Sequence, residues 1–301
     1  MATSTVALPE EGWKLPEANR WRSLLLVARR NPLGVIGLIL ALGFIFLGSI
    51  GPYLTPNSPT ASNIDALLAG PSLAHPFGTD SLGRDMLSRV IGGARISLFI
   101  GGAAVILGVT GGAFLGVVSG YFGGIVDSFI QRTGEMGAAF PGLMLYLMLI
   151  AVLGQSPRTI VVAIAIGALI GGSRVLRAMT IVLKTSPFVE ASRSMGATEF
   201  RILFRHIIPN VIPIIIVVAS SALGAAVLAE AALSFLGIGV EPGTPSWGID
   251  LSGENLRFAA SGKWWLVAFP GGALSLVVLG FNLLGDTLRD ILDPRLRGQL
   301  N

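Results

Sequence analysis

Apolar positions along this chain fall into long runs, without the alternation of a half-buried strand or the narrow stripe of a soluble helix. A run of about 20 such residues crosses the ~30 Å hydrocarbon core of a bilayer. The first run spans Leu33 to Tyr53, and the second spans Ile96 to Tyr121. A third begins with Asp127, Arg132 and Glu135 and becomes cleanly apolar from Met136 to Leu153, with Pro141 expected to kink it. The fourth starts near Thr159, and its apolar part ends at Ser173 after a rise of only about 22 Å. It is therefore expected to continue past Arg174 and Arg177, whose side chains snorkel, and to end near Lys184. The fifth runs from Ile207 to Ile238, with Pro209 and Pro213 near its start. The sixth runs from Trp264 to Leu284 behind an interfacial Trp264-Trp265 anchor. The pattern predicts an all-α, polytopic membrane protein with six transmembrane helices.

The segments between these runs differ in kind. Residues 1–32 are polar and carry Lys14, Arg20, Arg22, Arg29 and Arg30. Trp13 and Trp21 there suit either the headgroup level or a solvated tail. Residues 54–95 form a long connection, irregular around Pro56, Pro59, Pro71 and Pro76. Its second half, Asp80 to Arg95, alternates acidic and basic residues and reads as a surface helix. Residues 239–263 form a second loop rich in Gly and Pro.

Residues 186–209 are a charged island between apolar runs. Ser186 can cap a helix whose first position is Pro187, with Glu190 in its first turn. Gly196 interrupts it, and Thr198 can cap a second helix starting at Glu199. The expectation is two short helices joined by a bend, with an ordinary amphipathic loop as the competing reading.

Composition narrows the class. The chain of 301 residues is 52% hydrophobic and 13% charged, about half the charge of a soluble domain. With no cysteine, disulfides, thiol catalysis and cysteine-held metals are excluded. The net charge of +4 is small and is better read loop by loop than as a sign of nucleic-acid binding. Most of the 21 Lys and Arg lie in the N-terminal segment, the island with its flanks, and the C-terminal tail with Arg289, Arg295 and Arg297. The positive-inside rule therefore puts both termini and the island in the cytoplasm, and residues 54–95 and 239–263 outside.

Two features inside the spans stand out. Gly108, Gly112, Gly116, Gly120 and Gly124 recur every four residues, which lines one face of the second helix with glycine. That face is either a fixed packing surface or a sliding contact. Glu230, about twenty residues into the fifth span, lines a substrate path or sits wet at the far interface; Ser234 and Asn282 are further candidates for lining a pathway.

The usual nucleotide-binding chemistry is missing. The one Gly-Lys pair, Gly262-Lys263, lacks the glycine and the Ser or Thr of a phosphate-binding loop. His75 and His206 lie in different segments on opposite sides, so they form neither a metal site nor a catalytic pair. Ionisable residues are scarce at mid-membrane depth, where a proton- or sodium-driven transporter usually needs them. A permeation bundle driven by another chain is the expectation. A self-contained channel or secondary transporter and a structural scaffold are the competing classes.

The island resembles the cytoplasmic coupling loop of bacterial ABC importer permeases. Glu190, Ala191 and Ser192 open the pattern, Gly196 follows at the family's spacing, and Pro209 closes it. His206 stands where the general pattern has isoleucine, and Arg205-His206-Ile207-Ile208-Pro209-Asn210 is similar to the variant of the peptide and nickel branch. Further stretches resemble that branch: His75 to Asp80 with Gly83-Arg84-Asp85 and Ser88-Arg89, Gly93-Ala94-Arg95, Glu230 to Gly237, and Asn282 to Asp286 with Asp293-Pro294-Arg295. The resemblance covers residues 25–298 and points to the C-type permease subunit of dipeptide, oligopeptide or nickel importers.

The resemblance implies a type I ABC importer permease fold in a bacterial inner membrane. Residues 1–32 would be the cytoplasmic segment and 33–95 the first helix and outer loop. Residues 96–290 would be the permease core, and 291–301 the tail. It implies a paralogous permease as heterodimer partner, two ABC ATPase subunits that carry the ATP and Mg, an extracytoplasmic binding protein and surrounding lipid. This chain itself would hold no cofactor. Glu190, Ala191, Ser192, Gly196 and Pro209 would couple to an ATPase, with Arg193, Arg201 and Arg205 as contacts. Cargo is left among peptides, glutathione and a nickel chelate, because selection would rest with the binding protein.

Overall fold

A computed structural model describes residues 31–55 and 57–292. The basic N-terminal segment with Trp13 and Trp21, Pro56, and the tail with Pro294, Arg295 and Arg297 lie outside the described residues. Among the described residues, those from Leu33 onward belong to one compact unit. Regular structure among the described residues is helical, with one isolated bridge between Thr79 and Asp85.

The helices are α1 (Pro32–Leu54), α2 (Met86–Phe122), α3 (Gly124–Ala138), α4 (Gly142–Leu153), α5 (Pro157–Lys184), α6 (Pro187–Ser194), α7 (Glu199–Ile202), α8 (Ile208–Phe235), α9 (Trp247–Asp250), α10 (Gly253–Ala260) and α11 (Trp265–Leu292). Among the described residues, five helical stretches are long and apolar enough to cross a membrane: α1, α2, α5, Glu199–Phe235 and α11. The pair α3–α4 makes a sixth only if the two halves count as one span. Large apolar side chains such as Leu33, Ile39, Phe46, Ile106 and Phe114 stand exposed on these helices, as a lipid-facing surface requires.

Two expectations change. Pro141 does not kink a continuous third span. Helix α3 ends at Ala138, Pro141 stands just before α4, and the two axes meet at 91°. Proline lacks the N–H a continuing helix needs and drives the residue before it out of helical geometry, so the chain turns outright. Nor is Asp80–Arg95 a surface helix. The Asp85 carboxylate accepts from the Ser88 N–H at 2.9 Å and starts α2 ten residues earlier than expected, with Met86, Arg89 and Val90 buried. At 37 residues α2 is about 55 Å long and overshoots the bilayer core.

The core is built around α2 and α5. A Cβ placed on Gly108, Gly112, Gly116 or Gly120 would meet the α5 backbone: Ala165 O at 2.5 Å, Leu169 O at 2.8 Å, Ser173 O at 2.5 Å and Arg177 O at 2.7 Å respectively. The stripe is therefore a backbone-on-backbone seam over three turns. Gly124 leaves it, because α2 ends at Phe122 and open space surrounds Gly124. At the seam's end Asp127 receives the Arg177 guanidinium through two 2.5 Å hydrogen bonds, which pairs charges that lipid would not tolerate singly. Helix α8 packs on α2 and on α11. Helix α11 meets α1 where Gly37 faces the Gly280 carbonyl.

Candidate functional site

The island folds as two short helices across a bend. Pro187 opens α6, and Val189 (0% exposed) and Ser192 turn inward while Glu190, Ala191, Arg193 and Met195 face out. The Ser186 hydroxyl does not cap α6; it donates back to the Leu183 carbonyl at 2.5 Å. Helix α6 ends in a Schellman motif: the Ala197 N–H donates to Ser192 O at 3.1 Å and the Gly196 N–H to Arg193 O at 3.0 Å. That closure places Gly196 at φ +82°, where an L side chain costs about 1–2 kcal/mol, although nothing crowds it. Thr198 then caps α7 by accepting from the Arg201 N–H at 3.4 Å.

A π-helical turn, Leu203–Ile207, joins α7 to α8. It lies immediately before Pro209, which cannot donate to an α-helical partner, and the Asn210 side-chain amide donates to the His206 carbonyl at 2.7 Å. Its register turns Leu203 and Ile207 inward while leaving Phe204 and Arg205 exposed.

The island stands on apolar feet and polar ties. Val189, Ile202, Leu203 and Ile207 pack with Ala113, Val117 and Tyr121 of α2 and Leu176 of α5. The Tyr121 hydroxyl donates to the Glu199 carboxylate and lies 3.1 Å from the Glu199 carbonyl. Lys184 donates to the Tyr121 carbonyl at 2.6 Å. Arg193 reaches Glu199 across the bend at 3.3 Å, and that hydrogen bond holds its guanidinium pKa above the ordinary value. The Ser192 hydroxyl donates to Phe188 O at 2.9 Å and lies 3.3 Å from His206 Nε2. The surface left outside carries Glu190, Ala191, Arg201, Arg205 and Pro209 with Phe188, Met195, Phe200 and Phe204.

Sequence reasoning missed Tyr121, Lys184 and the buried feet. The feet had a signal, since Val189, Ile202 and Ile207 are β-branched apolar residues set among the island's charges. Tyr121 had none, because its partner lies 78 positions away.

Of the pathway candidates, Glu230 and Ser234 meet, while Asn282 stands apart. Glu230 is not a wet interfacial residue: it is fully buried and its carboxylate accepts from Ser97 at 2.6 Å, Ser234 at 2.8 Å and Ser246 at 3.0 Å. It thereby ties α2, α8 and the loop before α9 together. Asn282 lies on the exposed side of α11, its side-chain oxygen 3.0 Å from where a Gly224 Cβ would stand. Near the same end as Glu230, Arg89 is fully buried, 2.5 Å from Asp250 and hydrogen-bonded to the Pro59 carbonyl at 3.1 Å.

The geometry is that of a multi-spanning helical bundle carrying the braced α6–α7 pair at one end, with no cluster of three His, Asp or Glu that could hold a metal ion among the described residues. Residues 112–298 match the family described as the binding-protein-dependent transport system inner membrane component, and residues 19–71 match the N-terminal TM domain of oligopeptide transport permease C. The chain is 40% identical over 277 residues to a dipeptide transport system permease protein of Alkalihalophilus pseudofirmus, covering 92% of this chain and 90% of that one. It is 37% identical over 298 residues to a glutathione transport system permease protein of Pectobacterium atrosepticum, covering 99% and 97%. The chain belongs to the binding-protein-dependent transport system inner membrane component family and is an ABC importer permease, not an enzyme.

Proposed function

We propose that this permease forms the path for import of short peptides. The carrying observation is that relatives similar over almost the whole chain are named for dipeptide and glutathione transport, and both cargoes are short peptides. The working assembly is this chain, a second permease subunit, two ATPase subunits that bind and hydrolyse ATP with Mg, and an external binding protein. Both termini and the island face the cytoplasm, a placement that rests on the distribution of Lys and Arg.

In this reading ATP-driven closure of the ATPases pushes on the exposed side of α6 and α7, where Glu190, Arg201 and Arg205 meet the ATPase. The Schellman closure at Gly196 and the Tyr121 tie support this role, because a braced helix pair transmits a push that a loose loop would absorb. The test is uptake of labelled di-alanine into proteoliposomes holding the full assembly. Peptide uptake that needs ATP and the binding protein is expected. Transport of a nickel chelate without any peptide, or solute movement by this chain alone, overturns the reading. In the same vesicles Gly196→Pro should abolish peptide-stimulated ATP hydrolysis while insertion persists, because proline cannot adopt φ +82°.

A further inference from the structure

At the end of α2 remote from the island lies a cavity of about 640 Å³. Its mouth and the island are separated by the α2 residues from Phe99 to Tyr121, a rise of about 33 Å, close to the thickness of a bilayer core. Its walls are mainly apolar, with Ile96, Phe99 and Ile100 of α2, Pro157 of α5 and Val240 among them. Two charged side chains also line it: Arg95 from α2 and Glu241 from the loop after α8. Both are exposed, and neither has a hydrogen bond or ion pair through its side chain among the described residues.

The wall that carries Glu241 is held in place by buried groups. Glu241-Pro242-Gly243-Thr244 makes a tight turn closed by the Thr244 N–H donating to Glu241 O at 3.1 Å, with Gly243 at φ +93°. The buried Arg89 guanidinium lies 3.5 Å from the carbonyls of Gly243 and Thr244 and also grips Pro59 and Asp250. Ser246, one residue past the lining Pro245, is bound to Glu230 at 3.0 Å. Two fully buried charged residues thus brace the loop that walls the cavity, while two unpaired opposite charges line it.

We propose that this cavity is a subsite for the zwitterionic form of a short peptide. The α-carboxylate docks on the Arg95 guanidinium, which suits a planar carboxylate, and the α-ammonium docks on Glu241. Apolar side chains rest against Phe99 and Val240. The volume is in the range of sites for small ligands, and it limits the cargo to a few residues. This inference rests on the short-peptide reading and gives it a place of entry and a termini-reading chemistry.

The natural absence of cysteine provides the test. Thr244→Cys puts one thiol on the cavity wall and leaves the Thr244 carbonyl contact to Arg89 in place. The full transporter without its binding protein, in proteoliposomes, is treated with a charged maleimide, and labelling is read on this chain. Millimolar di-alanine should slow labelling at least threefold. N-acetyl-di-alanine amide, which has neither end charge, should not. Adding Arg95→Gln or Glu241→Gln should remove the protection. The proposal is overturned if di-alanine gives no protection, if the blocked peptide protects equally, or if both charge variants keep the protection. It is also overturned if these variants instead weaken stimulation of ATP hydrolysis by peptide-free binding protein, which would make the two charges a docking contact. Di-alanine uptake by the unmodified assembly is measured alongside. Uptake without protection removes the subsite and leaves the peptide reading intact, whereas absence of uptake removes the reading itself.

Discussion

Arg89 illustrates how much one side chain can organise. Its guanidinium is wholly buried, pairs with Asp250 at 2.5 Å and approaches Asp80 to 3.9 Å, while Asp80 is also bound by Arg84 at 2.6 Å. Removing one partner of such a pair leaves an uncompensated buried charge, which costs about 3–5 kcal/mol, whereas replacing both by apolar groups is far milder. Arg89→Ala is therefore expected to lower the thermal midpoint of the purified transporter sharply. Arg89→Met with Asp250→Leu should recover most of the loss. An Arg89→Ala protein as stable as the parent would show that water reaches Asp250. This hub was not legible in the sequence. Arg89 reads there as one of several alternating charges, and its partner Asp250 is 161 positions away. Gly196 was legible, because a glycine between a capped helix and a new cap residue has few other uses, and its φ of +82° supplies the reason. Glu230 was visible as an isolated carboxyl with Ser234 one helical turn on, but the other two serines that bind it, Ser97 and Ser246, come from distant segments that no one-dimensional pattern joins to it.

Among the elements, the α2–α5 seam was the most readable and is the easiest to test. Glycine every fourth residue marks one helix face, and on that face the partner backbone comes so close that no Cβ fits. A Cβ at Gly116 would stand 2.5 Å from Ser173 O and 2.9 Å from Arg177 N, and neither backbone atom can swing aside. Gly116→Ala should destabilise the bundle by about 1–3 kcal/mol. Gly102, on the same helix, has nothing within 4 Å of its Cβ position. Gly102→Ala should be neutral or stabilising by up to about 1 kcal/mol, since alanine favours the helix. Thermal unfolding of both variants checks the contrast, and equal midpoints would mean that the helices are not in close contact in the membrane. Element boundaries were less readable. The start of α2 depends on an Asp85 cap inside a mixed-charge segment that looks solvated, and burial of Met86 and Arg89 is a tertiary fact. The break between α3 and α4 was visible as Pro141, but the 91° angle depends on where each half packs.

Across the whole molecule, α2 joins the two ends. It carries Arg95 of the cavity near its start and Tyr121 of the island tie near its end, and the glycine seam locks it to α5 between them. A push on α6 and α7 can reach the far end as a rigid-body movement only if the island is fastened to α2. Two kinds of fastening exist. Val189, Ile202 and Ile207 bury completely against α2 and α5, and the Tyr121 hydroxyl binds Glu199 while Lys184 binds the Tyr121 carbonyl. Apolar contact is non-directional and tolerates sliding, whereas the tyrosine hydrogen bond fixes the position of α7 along α2. Tyr121→Phe keeps the ring in the apolar cluster and removes only that directional tie. The expected outcome is a transporter that assembles and still hydrolyses ATP when peptide and binding protein are added, but moves several-fold fewer peptides per ATP. Uptake and phosphate release measured in the same proteoliposomes give this ratio. An unchanged ratio would mean that the buried feet alone carry the push, and Val189→Ala would then be the variant that loosens it.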